Sequence, residues 1–240
     1  MRCGELKDER LKAVLALTGR CGTLADVGCD HGFLSAAAIL SGSAEYALAS
    51  DISPVSAQKA ERLAKRLGIA DRMTAVCADG LAAAVDVEPP FSIAICGMGG
   101  ELIARIIEKD RDTANKAEII VMQPMRGEAE LREYLFRNGF GIKDERVIRE
   151  GKRFYQVIAA VPNGSNSVPD WFPKDWFRFG WIMAENHPEE LIPLLRHYRS
   201  VYTRELEKAR ERGKDSKPLI DEIDRVDVLL NASGQAERNR

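Results

Sequence analysis

No apolar run in the 240-residue chain approaches the roughly 18 residues of a membrane span, so no membrane partner is expected. The opening, MRCGELKDERLK, lacks the apolar stretch of a secretory signal, and a cytoplasmic location is expected. Five cysteines, Cys3, Cys21, Cys29, Cys77 and Cys96, include no C-x-x-C pair. That argues against a disulfide framework or a zinc site and fits a reducing compartment. The three histidines, His31, His187 and His197, are too dispersed to suggest a metal centre, and none is expected. Charge of one sign is missing too: net charge is −2, so any grip on a polyanion must be local. What is present is 45% hydrophobic and 30% charged residues, the make-up of a packed core with an appendage.

The chain is organised around Leu24 to Gly32, L-A-D-V-G-C-D-H-G. Leu24, Ala25 and Val27 read as a short buried strand. Phe33, Leu34, Ala36, Ala37, Ile39 and Leu40 fit one side of a helix over 31–41. Strand, tight glycine turn and helix form the first crossover of a doubly wound parallel sheet, which binds ligands outside the carboxyl ends of its strands. Gly28 lets a ligand approach the backbone, having no Cβ in the way. The turn is not a dinucleotide fingerprint, since Asp30 stands where the second glycine of G-x-G-x-x-G should be. Asp26 and Asp30 would repel a pyrophosphate and disfavour a nicotinamide oxidoreductase. They suit a cationic ligand such as S-adenosylmethionine, which has a sulfonium, an ammonium and no phosphate. A plainer role for Asp30 is the N-cap of the following helix.

Further acids close two more strands. Tyr46 to Ala49 form a strand ending at Asp51, 25 residues after Asp26, placed for the two ribose hydroxyls of an adenosine. Asp51 could instead cap the helix over 54–67, which starts at Ser53-Pro54. Met73 to Cys77 precede Ala78-Asp79-Gly80, where Asp79 can accept an adenine amine. Phe91 to Cys96 is a fully apolar central strand ending in Gly97-Met98-Gly99-Gly100, glycines that imply backbone close to something flat or bulky. Helices are expected over 5–17, 101–109 and 127–138, and strands over 119–122, near 142–148 and over 154–161. The last pair, turning at Gly151, gives the parallel sheet an antiparallel edge. Arg10, on the first helix, sits just ahead of the first strand, where that helix can cover part of the pocket.

Three parts are expected: a ligand-binding domain over 1–161, a linker over 162–180 and a helical hairpin over 181–235. P-N-G-S-N-S-V-P-D opens the linker, and Trp171, Trp176 and Trp181 cluster just beyond. Leu191, Leu194, Leu195, Tyr198, Val201, Tyr202 and Leu206 recur at helical steps, then Leu219, Ile220, Ile223, Val226 and Leu230 after a turn. Between 196 and 217, eight Lys/Arg face four acids, a local +4. Arg204, Lys208 and Arg212 on that hairpin could hold a polyanion. A solvated coiled-coil face is the plainer reading, as it is for Lys59, Arg62, Lys65 and Arg66.

D-V-G-C-D-H-G, the A-S-D-I of 49–52, A-D-G of 78–80, G-M-G-G of 97–100 and Q-P of 123–124 resemble the bacterial tRNA (adenine-22-N1)-methyltransferases. The likeness covers nearly the whole chain. It implies a Rossmann-like class I methyltransferase α/β fold, a seven-stranded sheet with an antiparallel edge and a C-terminal helical hairpin or coiled coil. It also implies S-adenosylmethionine as cofactor, held by Gly28, Cys29, Asp30, His31, Asp51, Ile52, Asp79, Gly80 and Gly97 together with Asp26. The partner is tRNA and the chain is expected to act as a monomer. Asp30 is the expected catalytic residue, its rival role being to hold the methionine ammonium, with Met98 and Gly99 flooring the target base, Gly100 also on the substrate side, and Arg10, Arg204, Lys208 and Arg212 on the tRNA side. The absence of [N/D]-P-P-[Y/F/W], which grips an exocyclic amine, favours ring N1 as the acceptor. A small-molecule methyltransferase and a non-catalytic binding module are the rival readings.

Overall fold

The computed structural model describes residues 6–173 and 176–238, without the side chains of 188 and 236–238. Cys3 and residue 5, where the first helix was expected to begin, lie outside the described residues. Helix α1 spans Glu9–Thr18 because Asp8 caps it, accepting from the backbone N–H groups of Arg10 and Leu11. Then follow β1 (Cys21–Val27), α2 (Phe33–Ser41), β2 (Ala44–Asp51), α3 (Pro54–Leu67) and β3 (Met73–Cys77). A 3-10 turn at Ala82–Ala84 leads to β4 (Phe91–Gly99), α4 (Gly100–Lys109), α5 (Arg111–Ala114) and β5 (Ile119–Arg126). The chain continues through α6 (Glu128–Arg137), β6 (Phe140–Glu150) and β7 (Arg153–Pro162), and ends in α7 (Trp181–Asn186), α8 (Pro188–Glu211) and α9 (Lys217–Arg238).

The seven strands lie in the order β3-β2-β1-β4-β5-β7-β6. β1 to β5 pair in parallel. β7 runs antiparallel to both β5 and β6, so the antiparallel edge consists of β7 with β6 outside it. The order reverses between β1 and β4, the crevice where such sheets take ligands.

Alternate residues explain the layering. Ala25, Val27, Ile93, Ile95, Ile120, Met122, Ile158 and Ala160 share one face with Ile103 and Ile107 of α4 and Leu131 and Leu135 of α6. Leu24, Ala94, Val121, Val157 and Ala159 share the other with Val14 of α1 and Leu34 and Ala38 of α2. A strand covered on both faces is mostly apolar, and Phe91 to Ile95 are all buried; the one polar side chain among them, Ser92, donates to the Thr18 carbonyl at 3.2 Å.

The stretch from 163 to 180 is irregular in backbone yet packed. Phe172, Trp176 and Phe179 are buried in the first of these clusters, beside Leu191, Leu195 and Tyr202 of α8 and Val226 and Leu229 of α9. A fully buried Arg132 on α6 ties the stretch down. It donates to the carbonyls of Phe177 and Arg178 at 3.2 and 3.1 Å, to Glu145 at 2.6 Å and to Gln156 at 2.6 Å. Gly180 is required here, because a Cβ on it would stand 1.5 Å from a Glu145 oxygen. No helix among the described residues is long and apolar enough to cross a membrane.

Candidate active site

The carboxyl ends of β1 to β4 bring the expected residues together. Past Val27 the chain turns through Gly28 at φ +75°, and the Gly28 and Cys29 N–H groups donate to the Ser50 carbonyl of β2 at 2.8 and 2.9 Å. Asp30 follows at φ +46°, a left-handed conformation unusual for a residue with a side chain. One interaction holds it there: its N–H donates to Asp51 Oδ2 at 3.1 Å. Asp51 Oδ1 takes the Ser53 N–H at 2.8 Å. Asp51 therefore ties the first turn to the second, and each of its oxygens keeps a lone pair beyond these bonds.

Neither acid is a helix cap. α2 is entered through Gly32, at φ +73°, with no side-chain cap, and α3 is capped by Ser53 Oγ accepting from Ser56. The Asp30 carboxylate is exposed, with Lys59 Nζ at 3.3 Å and His31 Nε2 at 3.6 Å. Asp26 is buried beneath this turn and accepts from Ser35 Oγ at 2.7 Å. Burial pushes its carboxyl up to about 6, against the pull of the Ser35 hydrogen bonds, and the nearby Asp51 charge adds to the rise.

Beside this turn, Asp79 is held by Lys109 Nζ at 2.7 Å, an exposed pair of the sort that contributes little and opens readily. Gly80 lies at φ +61°. Ile52 is exposed, immediately after Asp51. The glycines after β4 divide in role. Gly97 sits at φ +76° with nothing within 4 Å of where a Cβ would stand, leaving open space over the strand end. Gly100 meets the Gly127 carbonyl, where a Cβ would come within 1.9 Å, so it permits α4 to pack against the start of α6. Gly99 is under neither constraint, its nearest neighbour being Arg126 Nε at 3.8 Å. Gly97 and Gly99 therefore leave room for a ligand, whereas Gly100, expected on the acceptor side, is buried against α6. Met98 reaches back across the turn, its Cε standing 2.1 Å from where a Gly28 Cβ would be.

Cys29 and Cys96 at these strand ends are not activated nucleophiles. Burial pushes the Cys29 thiol up to about 12, and the Asp26 and Asp51 charges push the same way. The Cys96 thiol is raised as well, chiefly by burial. Both stay protonated at neutral pH, so neither is poised for covalent catalysis. The arrangement is an anionic, open strand-end cleft, which suits a ligand with positive charge and hydroxyls.

Three comparisons bear on this geometry. The family model described as Methyltransferase domain matches residues 7–158. The chain belongs to this methyltransferase family. Among curated proteins, the tRNA (adenine(22)-N(1))-methyltransferase of Bacillus subtilis is 26% identical over 231 residues, covering 94% of this chain and 96% of its own length. Among solved structures, Streptococcus pneumoniae Sp1610, a candidate tRNA (m1A22) methyltransferase, has a TM-score of 0.81 at 26% identity, covering 94% of this chain and 100% of its own. The same protein in complex with S-adenosyl-L-methionine gives 0.77 at 28% identity, with the same coverage.

The second wall of this methyltransferase site comes from residues that carry little sequence signal. Met98 and Gly99 pair with Pro124 and Arg126 at the end of β5. Arg10 stacks on Tyr155 at 4.7 Å, reaches Met125 Sδ at 3.4 Å and lies 3.7 Å from Glu150. It thereby joins α1 to the ends of β5, β6 and β7. Sequence reasoning missed Gln123, Met125 and Tyr155 as wall residues, because they form no motif beyond the Q-P pair. Arg204 and Lys208 on α8 and Arg212 at its C-cap recur every fourth residue and are exposed. None is in a salt bridge among the described residues, whereas Arg199 is taken by Asp227 at 2.6 Å. α8 packs on β6, so the hairpin stands at the sheet edge opposite β3 and Asp79. No hydrogen bond or ion pair among the described residues links these three cations to the strand-end cleft. His187, Glu189 and Glu190 lie near enough to one another to hold a cation. His187 and Glu190 are engaged instead in a clasp on β6, His187 Nε2 with Asp144 at 3.0 Å and Glu190 with the Val147 N–H at 3.0 Å.

Proposed function

We propose that the protein transfers the methyl group of S-adenosylmethionine to N1 of adenine 22 in tRNA. The observation that carries this reading is Asp51 gripping the Asp30 backbone while Asp30 points its carboxylate outward. An acid for the cofactor and an acid for the acceptor are thus one hydrogen bond apart. The residues fit the cofactor: open backbone at Gly97, acids rather than phosphate-binding amides at the first turn, and free lone pairs on Asp51. Bound there, the cofactor supplies an electrophilic methyl on a sulfonium.

Asp51 takes the ribose hydroxyls, and Asp79 takes the adenine amine once Lys109 swings away. Gly28, Cys29, His31, Ile52, Gly80 and Gly97 line the cofactor, and Asp26 lies beneath it. The acceptor adenine rests on Met98 and Gly99, with Arg10 beyond, while Gly100 is packed against Gly127 beneath them. Its N1 lone pair forms the bond to the methyl carbon as the carbon–sulfur bond breaks, and that pair stays on sulfur. Asp30 accepts a hydrogen bond from the adenine N6 amine and stabilises the positive charge arriving on the ring. No base is needed in that step, because the N6 proton leaves afterwards. The work of the protein is positioning. The target base is stacked in folded tRNA and is extruded before it enters.

The chain acts as a monomer in the cytoplasm, without a metal. A catalytic part over 1–161 is joined through 162–180 to a hairpin over 181–235 that carries tRNA on Arg204, Lys208 and Arg212. The test is incubation of purified protein and S-adenosylmethionine with unmodified tRNA, read by nucleoside mass spectrometry. N1-methyladenosine that disappears when adenine 22 is replaced is the expected result, and Asp30→Ala should abolish it. Cofactor binding without any methylated nucleoside would overturn the reading in favour of a small-molecule acceptor.

A further inference from the structure

The face of α3 turned toward the cleft carries a groove that, apart from His31, the reaction above does not use. His31, Phe33, Lys59, Arg62, Leu63 and Arg66 line a groove of about 360 Å³. Its walls differ in chemistry. On one side the His31 and Phe33 rings stack at 5.3 Å and 8°, with Phe33 half exposed to water. On the other, Lys59, Arg62 and Arg66 recur at steps of three and four, one stripe of α3. Leu63 is buried between them.

The stripe is not an ordinary solvated face. Lys65, the fourth cation of the run, points elsewhere and is paired with Glu61 at 2.6 Å. Lys59 reaches into the cleft to Asp30 and His31, at 3.3 and 3.4 Å. Arg62 and Arg66 are exposed and in no salt bridge among the described residues. Like charges three and four apart work slightly against a helix, and a bound anion relieves that repulsion. An exposed flat ring pair beside a row of cations is the pattern that receives an unstacked nucleotide: rings take the base face and cations take the phosphates. A volume near the small end of ligand pockets, about 300–1,000 Å³, fits one nucleotide rather than a duplex.

We propose that this groove binds a nucleotide of the tRNA next to the target adenine, its base on His31–Phe33 and its flanking phosphates on Arg62 and Arg66. This rests on the tRNA reading above. Extruding one base leaves its neighbour unstacked at the mouth of the cleft. The groove begins there, at the residues that hold the Asp30 carboxylate.

The test compares wild type with Arg62→Glu/Arg66→Glu and Arg62→Gln/Arg66→Gln. Affinity is measured for an unmodified tRNA transcript over a range of salt, and for S-adenosylhomocysteine by calorimetry. Both residues are exposed, so the variants should fold, and cofactor affinity should be unchanged. The glutamate pair should weaken tRNA binding at least tenfold. The glutamine pair should make the slope of log K against log salt shallower by about 1.4, the release expected for two single-strand phosphates. Phe33→Ala should weaken tRNA binding without changing that slope. Unaltered affinity and slope in both double variants, with wild type still binding and methylating tRNA, would overturn the groove alone. A wild type that neither binds nor methylates tRNA would overturn the functional reading beneath it.

Discussion

Asp26 makes stability depend on pH in a direction opposite to the usual carboxylate. Most native carboxylates gain partners on folding and lose stability in acid. Asp26 is buried with one hydroxyl for a partner, and its carboxyl is raised from 3.8 to about 6. Between those values the native chain holds a proton that the unfolded chain has released. Stability from this group is therefore complete below 3.8 and is lost as pH rises through about 6. At roughly 1.4 kcal/mol per unit, the loss is about 3 kcal/mol at pH 7.5 and about 1.6 at pH 5. Asp26→Asn removes the titration and keeps an acceptor for Ser35. Its new N–H2 group needs a partner of its own, which lowers the net gain by a constant amount at every pH.

The change of that gain with pH is the firm expectation. Urea unfolding of both proteins should show the variant's advantage shrinking by about 1.4 kcal/mol from pH 7.5 to pH 5. In melting temperature that is roughly 3–6 °C for a chain of this size. A difference between the two proteins that is the same at both pH values would refute the argument. It would mean that Asp26 is ionised in the native state across the whole range.

Asp51→Ala should weaken S-adenosylhomocysteine binding by about 10–100-fold in calorimetry, the loss of charge-assisted bonds to ribose plus release of the Asp30 turn. Unchanged affinity would remove Asp51 from the site. Gly97→Ala should cost about 1–2 kcal/mol from its left-handed backbone alone, whereas Gly99→Ala should be near neutral and Gly100→Ala the worst of the three, because its Cβ meets the Gly127 carbonyl; denaturant titration ranks them. Arg132→Ala leaves Glu145 buried and unpaired and should cost about 3–5 kcal/mol, with faster proteolysis of the 163–180 segment. Removing the charge from both, as Arg132→Met with Glu145→Leu, should restore much of the stability but not the ties to the Phe177 and Arg178 carbonyls.

Much of the sheet could be read locally because its signals are local. α3 begins at Ser53-Pro54 and stops at Gly68, so cap, proline and glycine mark its 54–67 span to the residue. β3 over 73–77 stops just ahead of Asp79-Gly80, where Gly80 turns the chain at φ +61°. Acids at strand ends were legible because a parallel sheet directs its carboxyl ends to one crevice. What each acid does there was less legible. The left-handed turn at Asp30 depends on a carboxylate 21 residues away, which no window around Asp30 contains.

The stretch from 163 to 180 shows the limit most clearly. Its opening prolines, glycine and asparagines carry no period, and loops with that composition usually lie on the surface. Here the order comes from outside the stretch. Arg132 sits on a helix whose pattern would place it among charged surface residues, yet it is fully buried and 45 residues from the carbonyl it binds. With Arg132 absent, Phe172, Trp176 and Phe179 would still favour burial and Trp176 would still donate to Glu222, but the Phe177 and Arg178 carbonyls would lose their donor. The site inherits that order. α6 holds Arg132 and begins at Gly127, which packs on Gly100 at the base of the acceptor wall. An unsatisfied Glu145 would loosen the same helix whose start packs on Gly100, next in the chain to Met98 and Gly99. The effect of Arg132→Met on catalysis should therefore appear in kcat for tRNA methylation before it appears in cofactor affinity, since the cofactor acids stand on β1, β2 and β3 instead.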